Sequence, residues 1–317
     1  MATRARTRLL FAHLHGPGDG RFHLKPLLPF LVLLLGGCPA PAAHMVGAFI
    51  VVDDAGDSVR LAGPAARIVS LSPATTELLF AIGAGDRLVG RTRWCDYPAA
   101  VRAVESVGDG MPPNIEAVLA RHPDLVLLYR SPQNAEALRQ LRTAGVATLQ
   151  LSMDHLVDVG RLARLLGTVV GRAAAGDSLA AAFTAALDSA AAPAAMLPAS
   201  ARRRVLLLAW DQPPIAIGAG SFQSEILSLA GGSNLFADLA APSATVSIEA
   251  IAARDPDLIL VTDSGPPTIA SRPEWRVVGA VRERRFLHLP TTAFSRPGPR
   301  APAVVRLLST ALDANRP

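Results

Sequence analysis

The chain has 317 residues, half of them hydrophobic, and a formal net charge of +5. Residues 1–37 hold five basic side chains and one acidic one, so they carry +4 of that charge and residues 38–317 carry +1. The basic balance therefore gives no support for nucleic-acid binding, for which basic stretches interleaved with aromatic residues are typical. The two cysteines are too few for a disulfide framework or a Cys/His metal cluster.

Residues 1–37 are predicted to be a signal peptide, which indicates an exported protein. The apolar run 27–35 is broken by Pro29 and is much shorter than the roughly 18 residues that a membrane-spanning helix needs. The run ends in Leu35-Gly36-Gly37-Cys38, which resembles the lipobox of bacterial lipoproteins, where the cysteine is acylated and becomes the mature N-terminus. An ordinary secretory signal, cleaved at residues 40–43, is the alternative.

Residues 38–63 are predicted to form a tether and a β-hairpin, with strands at 49–52 and 59–61. Residues 64–153 then alternate apolar runs of strand length with helical patterns, which is typical of a mainly parallel sheet. The predicted strands and helices of this first lobe are strands 68–71, 88–90, 125–129 and 147–151 and helices 72–82 and 134–144.

Residues 154–193 interrupt this alternation. An Ala/Leu-rich helical pattern runs from His155 to Ala191 and predicts one long helix, ended by Pro193 and Pro198. Residues 200–317 return to the α/β pattern and form the second predicted lobe. Its predicted elements are strands 205–210, 258–262 and 286–289 and helices 221–230 and 302–312.

One fourteen-residue segment occurs in both predicted lobes. Residues 114–127 and 247–260 are identical at nine positions and exchange Val for Ile at two more, which favours a duplicated unit. Asn114 and Ser247 are predicted to cap short helices that carry Glu116 and Glu249 in their first turns. A glutamate in that turn can have no role besides a favourable interaction with the helix dipole. Its presence in both lobes favours an additional role that the two glutamates share.

These features resemble the helical-backbone substrate-binding proteins of ABC importers, and most of all their cobalamin-binding members. The resemblance rests on the two lobes, the lipobox, Ser-Pro-Ala-Thr-Thr-Glu after the first strand, Cys-Asp-Tyr-Pro, and the paired glutamates, and it covers about residues 64–312. It implies an α/β fold of two similar lobes with mainly parallel sheets, joined by one long backbone helix, with the ligand cleft between the lobes. It also implies a monomer that docks on the two permease subunits through Glu116 and Glu249.

The resemblance also implies a set of ligand contacts. Trp94 stands where cobalamin-binding members have a cleft tyrosine, and Tyr129 stands where they have a tryptophan. Phe294 and Arg296 match a late loop of the second lobe. The remaining assigned contacts are Tyr97, in the same loop as Trp94, and Trp210, at the end of a strand.

The chain departs from those members shortly before Glu116. Where they carry a tryptophan, this sequence has Gly108-Asp109-Gly110-Met111.

Cobalamin or a related corrinoid is therefore the implied ligand, and no cofactor is expected. Haem or a ferric siderophore is the alternative, with Arg93, Arg130 and Arg296 as carboxylate partners. A metal-ion site is not expected, because the histidines after the leader, His44, His122, His155 and His288, lie outside the cleft loops. A periplasmic sensor or an enzyme on the same fold is the third alternative, but no G-x-S-x-G, H-E-x-x-H or G-x-x-x-x-G-K-[ST] motif occurs.

Overall fold

A computed structural model describes residues 47–262, 267–289 and 292–315. The predicted signal peptide and Cys38 lie outside these residues. The strands are β1 Phe49–Val52, β2 Ser58–Leu61, β3 Ile68–Ser70, β4 Leu88–Arg91, β5 Leu125–Tyr129, β6 Ala147–Leu151, β7 Arg203–Asp211, β8 Pro214–Ile217, β9 Gly232–Asn234, β10 Ser243–Thr245, β11 Leu258–Val261 and β12 Phe286–His288.

The α-helices are α1 Pro73–Ala81, α2 Ile115–Leu119, α3 Ala135–Thr143, α4 Val157–Val169, α5 Ala173–Ala195, α6 Phe222–Leu229, α7 Ile248–Arg254, α8 Gly279–Arg282 and α9 Ala301–Asp313. Short 3-10 helices span Gly85–Arg87, Ala99–Ala103, Pro132–Asn134, Ala199–Ala201, Thr268–Ser271, Pro273–Val277 and Thr292–Ser295. None of the described helices is both long enough and apolar enough to cross a membrane.

The first lobe is built on a parallel sheet, as predicted. Its four strands run in the order β4-β3-β5-β6, and each neighbouring pair is parallel. Residues 125–128 of β5 are all buried, because helices and loops cover both faces of a parallel sheet. The predicted hairpin is confirmed as the antiparallel pair of β1 and β2.

The second lobe has a mixed sheet. Strands β9, β7, β11 and β12 pair in parallel, whereas β8 pairs antiparallel with β7 and β10 pairs antiparallel with β8. The sequence pattern predicted neither β8 nor β10. Strand β8 is four residues that begin at Pro214 directly after Pro213, and β10 is three residues of mostly small and polar type, so neither is long enough or free enough of strand-breaking residues to indicate a strand.

The predicted long helix is present as α5, but it does not run from His155 to Ala191 as one helix. The segment forms two helices, α4 and α5, and the chain reverses between them at Gly171, whose φ of +66° ends a right-handed helix. Pro193 also does not end the second helix, because it lies in the last turn of α5. Helix α4 packs on α1 of the first lobe and α5 packs on α6 and α9 of the second, so the lobes are joined by a helical hairpin.

The duplicated segment has the same local structure in both lobes. The Asn114 side chain accepts the N–H of Ala117 at 3.0 Å, and the Ser247 hydroxyl accepts that of Ala250 at 3.1 Å, so both predicted caps are confirmed. The residue before each proline ends its helix in the left-handed region, with φ of +47° at His122 and +43° at Asp255. His122 therefore has a conformational role at the end of a helix.

Two further residues of the duplicated unit tie each helix to the strand that opens its lobe. The Asp124 carboxylate accepts the N–H groups of Ala66 and Arg67, and Asp257 accepts that of Arg204 at 2.7 Å. The guanidinium groups of Arg67 and Arg204 in turn donate to carbonyls at the ends of α2 and α7. Cations near unpaired carbonyls stabilise a helix end, so these pairs account for the duplicated Asp and for the Arg that opens each lobe.

The packing of α4 against α5 predicts opposite effects for two Gly→Ala changes. A Cβ on Gly176 would lie 2.5 Å from the carbonyl oxygen of Ala163, whereas a Cβ on Gly160 would meet its nearest neighbour, the Cβ of Ala180, at 3.6 Å. We expect Gly176→Ala to lower the free energy of unfolding by about 1–3 kcal/mol through overpacking. Gly160→Ala should raise it by about 0.5–1 kcal/mol, because alanine favours the helix. Urea denaturation measures both, and a Gly176→Ala protein as stable as wild type would contradict this packing.

Candidate ligand-binding cleft

A cavity of about 500 Å³ lies between the two lobes. Its first-lobe wall comes from loops at the carboxyl ends of β3, β4, β5 and β6, which meet at one edge of the sheet. Binding sites of open α/β sheets occur at this edge. The second-lobe wall comes from the start of α6 and from the loop before α9. The lining residues are Leu71, Ser72, Pro73, Ala74, Thr92, Trp94, Asp109, Gly110, Met111, Tyr129, Met153, Asp154, Phe222, Ser295, Arg296 and Pro297.

A second cavity of about 520 Å³ opens in the second lobe. It is lined by the end of β7, by the end of β11 and by the loop that follows β12. Ser295 lines both cavities, so they adjoin at this residue. The cleft thus offers room on both sides of Ser295 for a ligand larger than either cavity alone.

Five of the six assigned ligand contacts line one of the two cavities. Trp94, Tyr129 and Arg296 line the first cavity, and Trp210 and Phe294 line the second. Trp94 is 51% exposed and Trp210 is 60% exposed, so each presents a large apolar face, whereas Phe294 is only 4% exposed and packs mainly in the core. Exposed aromatic surface of this size beside a cavity is typical of a binding site.

Tyr97 lies outside both cavities. Its ring packs under the guanidinium of Arg300, whose Cζ is 4.3 Å from the ring centroid. The structure therefore gives this tyrosine a contact with the second lobe, and it does not bring the side chain to the cavity wall that holds Trp94.

Several lining residues were not predicted. Met153 and Asp154 follow β6, and Phe222 begins α6. Gly110 and Met111 belong to the segment that stands in place of a tryptophan, and Met111 presents an exposed thioether side chain to the cavity. The rule that ligands meet the carboxyl ends of parallel strands would have indicated Met153 and Asp154, because β6 was predicted with correct bounds.

Tyr129 is held as a neutral phenol. Its hydroxyl donates to Oδ1 of Asp154 at 2.8 Å. Burial and the hydrogen bond to Asp154 raise the pKa of Tyr129 to about 12. The side chain therefore offers the cavity an aromatic face and a hydrogen-bonded hydroxyl, and it does not offer a phenolate.

Cys95 is a small buried residue, as predicted. Its sulfur lies 3.2 Å from the hydroxyl oxygens of both Thr76 and Thr92 and has no disulfide partner among the described residues. It fixes the loop that carries Trp94 against α1.

Arg296 reaches across the cleft to the first lobe. Its guanidinium, 16% exposed, donates to Oδ1 of Asp96 in the loop after β4. Burial acts to raise the pKa of Asp96, but the hydrogen bond from Arg296 and its charge outweigh burial and hold the pKa below its usual range. The carboxylate is therefore ionised and the pair is a true ion pair.

Two further polar contacts join the lobes. Arg300 at the start of α9 donates through Nε to Oε2 of Glu77 in α1 at 2.8 Å, and a second N–H of the same guanidinium bonds Oε1. His155 Nδ1 lies 2.5 Å from Oε1 of Glu225 in α6, and this hydrogen bond raises the pKa of His155. Side-chain hydrogen bonds therefore connect the helices of the two halves at two places besides the Asp96–Arg296 pair.

Glu116 and Glu249 lie away from the cleft. Both side chains are exposed, and neither lines a described cavity. Within the described ranges, neither carboxylate has an ion-pair or side-chain hydrogen-bond partner, whereas the arginines of the duplicated unit do: Arg121 pairs with Glu105, and Arg254 pairs with Asp238.

Two α/β lobes, joined by helices, thus enclose a cleft at the carboxyl ends of their strands. The periplasmic binding protein family model matches residues 68–293. The chain belongs to that family.

Known relatives agree with this assignment. The chain is 29% identical to an uncharacterized ABC transporter substrate-binding lipoprotein of Bacillus subtilis, over 84% of this chain and 89% of that protein. It is 32% identical to a vitamin B12-binding protein of Yersinia pestis, over 62% and 70% of the two chains.

Solved structures show the same architecture. The periplasmic vitamin B12-binding protein of Vibrio cholerae superposes with a TM-score of 0.67 and 28% identity, over 80% of this chain and 98% of that one. An apo periplasmic heme-binding protein of Roseiflexus sp. RS-1 superposes with a TM-score of 0.69 and 26% identity, over 79% and 99%. The fold is therefore shared by a vitamin B12-binding protein and a heme-binding protein.

Proposed function

We propose that the cleft captures cobalamin or a related corrinoid and delivers it to an ABC importer. The observation that carries this proposal is the exposed face of Trp94 on the wall of the inter-lobe cavity, with Met111 and Met153 on the same wall. A rigid aromatic face buries much of a flat macrocycle with little loss of side-chain entropy. The named relatives that bind vitamin B12 support the same ligand class.

The chemistry of the cavity favours a corrinoid over haem. Cobalamin carries an axial ligand for its cobalt within the molecule, whereas haem iron takes an axial ligand from a protein His, Cys, Met or Tyr. No described histidine lines either cavity, and Tyr129 is held as a neutral phenol. Haem is the second candidate because Met111 and Met153 do offer thioethers to the first cavity. A ferric siderophore is less favoured, since Arg296 already has a carboxylate partner.

Removing the Trp94 ring should weaken corrinoid binding. We expect Trp94→Ala to cost about 1–3 kcal/mol, or roughly 5- to 150-fold in affinity for cyanocobalamin, because a buried stacking face is lost. Trp94→Phe is the matched control and should keep most of the affinity, because it retains a ring. Isothermal titration calorimetry measures all three proteins. A wild-type protein that gives no heat with cyanocobalamin, or an alanine variant with unchanged affinity, contradicts the proposal.

We further propose that Glu116 and Glu249 dock the loaded protein on the two subunits of the permease. Three observations support this role: the glutamates are duplicated, they are exposed, and they have no side-chain partner within the described residues. The neighbouring Asn114 and Ser247 already cap the two helices. A carboxylate that meets an arginine of the permease would make a bidentate, oriented contact.

Neutralising these glutamates should impair transport and leave ligand binding intact. Each of Glu116→Gln and Glu249→Gln should weaken docking by about 2–5 kcal/mol if the pair is buried in the complex, and by far less at a wet rim. Asp188→Asn, an exposed change on α5 outside the duplicated unit, is the charge control. The measurements are pull-down by the cognate permease and ligand uptake in cells. Full uptake with a folded double variant would show that the glutamates serve only their helices.

We also propose that Cys38 anchors the mature protein to a membrane. The lipobox-like sequence supports this, as does the Bacillus subtilis relative, which is named a lipoprotein. Multiple acyl chains hold a protein firmly, whereas a single chain binds only marginally. Mass spectrometry of the N-terminal peptide should find an acylated Cys38, and Cys38→Ser should release the protein from the membrane fraction. An unmodified mature N-terminus beyond residue 38 would refute the anchor.

A further inference from the structure

The walls of the cleft carry an unequal set of charges. Among the described residues that line the two cavities, the carboxylates are Asp109, Asp154 and Asp211, whereas Arg296 is the basic residue. Asp109 is paired with Arg93 and Asp211 lies 3.7 Å from Arg272, so an anionic group of a ligand entering this cleft would lose its water and would find Arg296 as the lining cation. Burying such a group without a cationic partner is strongly unfavourable.

Arg296 is not free to act as that partner. Its guanidinium is bound to Asp96, and Asp96 itself does not line either cavity. Arg93, which lies in the same loop as Asp96, pairs with Asp109 and does not line either cavity. Asp96 therefore neutralises the cation that a carboxylate-bearing ligand would need.

We propose that Asp96 is a specificity residue: by holding Arg296 in an ion pair, it makes the cleft select an electroneutral macrocycle with amide substituents and reject one with free carboxylates. The inference deepens the proposed function and rests on it only in taking this cleft as the ligand site. Amide groups can bond to Asp109, Ser295 or backbone groups without bringing a charge into the cleft. Carboxylates would have to displace Asp96 from Arg296 before they gained a partner.

The test separates charge from shape with two probes of nearly equal size. Protoporphyrin IX carries two carboxylates, its dimethyl ester carries none, and the absence of iron removes axial ligation from the comparison. Fluorescence titration gives the ratio of their affinities for wild type, Asp96→Asn, Arg296→Gln and the double variant. Wild type should prefer the ester. Asp96→Asn should shift the ratio toward the free acid by at least about tenfold, because one charge-assisted hydrogen bond to Arg296 becomes available.

The other variants distinguish a specific effect from a general one. Arg296→Gln and the double variant should show no shift toward the acid, since the receiving guanidinium is gone. Asp238→Asn removes the same charge from an ion pair with Arg254 that does not line either cavity, and it should leave the ratio unchanged. A merely structural role for the Asp96–Arg296 pair would weaken both probes equally and leave the ratio constant.

Three results would overturn the inference: an unchanged ratio in Asp96→Asn, an equal shift in the double variant, or no porphyrin binding by Asp96→Asn. Cyanocobalamin titration of the wild type runs in parallel and tests the proposed function by itself. Failure there would remove the corrinoid assignment, while the porphyrin ratio would still decide the role of Asp96.

Discussion

The cleft depends on one buried ion pair between the lobes. The Glu77 side chain in α1 is only 3% exposed and is bound by two N–H groups of Arg300, which lies 223 residues further along the chain. A buried carboxylate without a partner is strongly destabilising. The pair therefore favours the arrangement of the two lobes in which Glu77 and Arg300 meet. The ring of Tyr97 packs against the same guanidinium, which explains why this tyrosine is turned away from the ligand cavity. Orientation of the lobes, and therefore the shape of the cleft, follows from these contacts together with the Asp96–Arg296 pair.

The helical hairpin supplies the second constraint. Because α4 packs on the first lobe and α5 on the second, relative motion of the lobes would have to disturb helix packing that depends on close backbone approach at Gly176. The ion pairs between the lobes and the packing of α4 on α5 thus both oppose relative motion of the lobes. Such a molecule presents a largely preformed cavity to its ligand, and a preformed site loses less entropy on binding.

The duplicated unit contains residues that build each lobe and one residue per copy that does not. Its cap residue, its arginine, its aspartate and the residue before its proline all make contacts that build each lobe. Glu116 and Glu249 make none of these contacts within the described residues, yet both copies retain them. Two lobes built on the same scaffold therefore carry one exposed carboxylate each, on a surface separate from the ligand cleft.

The sequence by itself determined the features that depend on local pattern. A continuous apolar run identified β5, because a strand covered on both faces needs no polar alternation, and the duplicated caps identified α2 and α7. Local pattern could not show that Gly171 reverses the chain, because glycines at 160, 167 and 176 lie in the same helical pattern and remain helical. Nor could it show that Arg296 meets Asp96, 200 residues away, or that Tyr97 faces Arg300 while Met111 faces the cavity. Only the tertiary structure decided these partners, because the energy of an ion pair or a ring contact depends on distances that arise when the two lobes pack together.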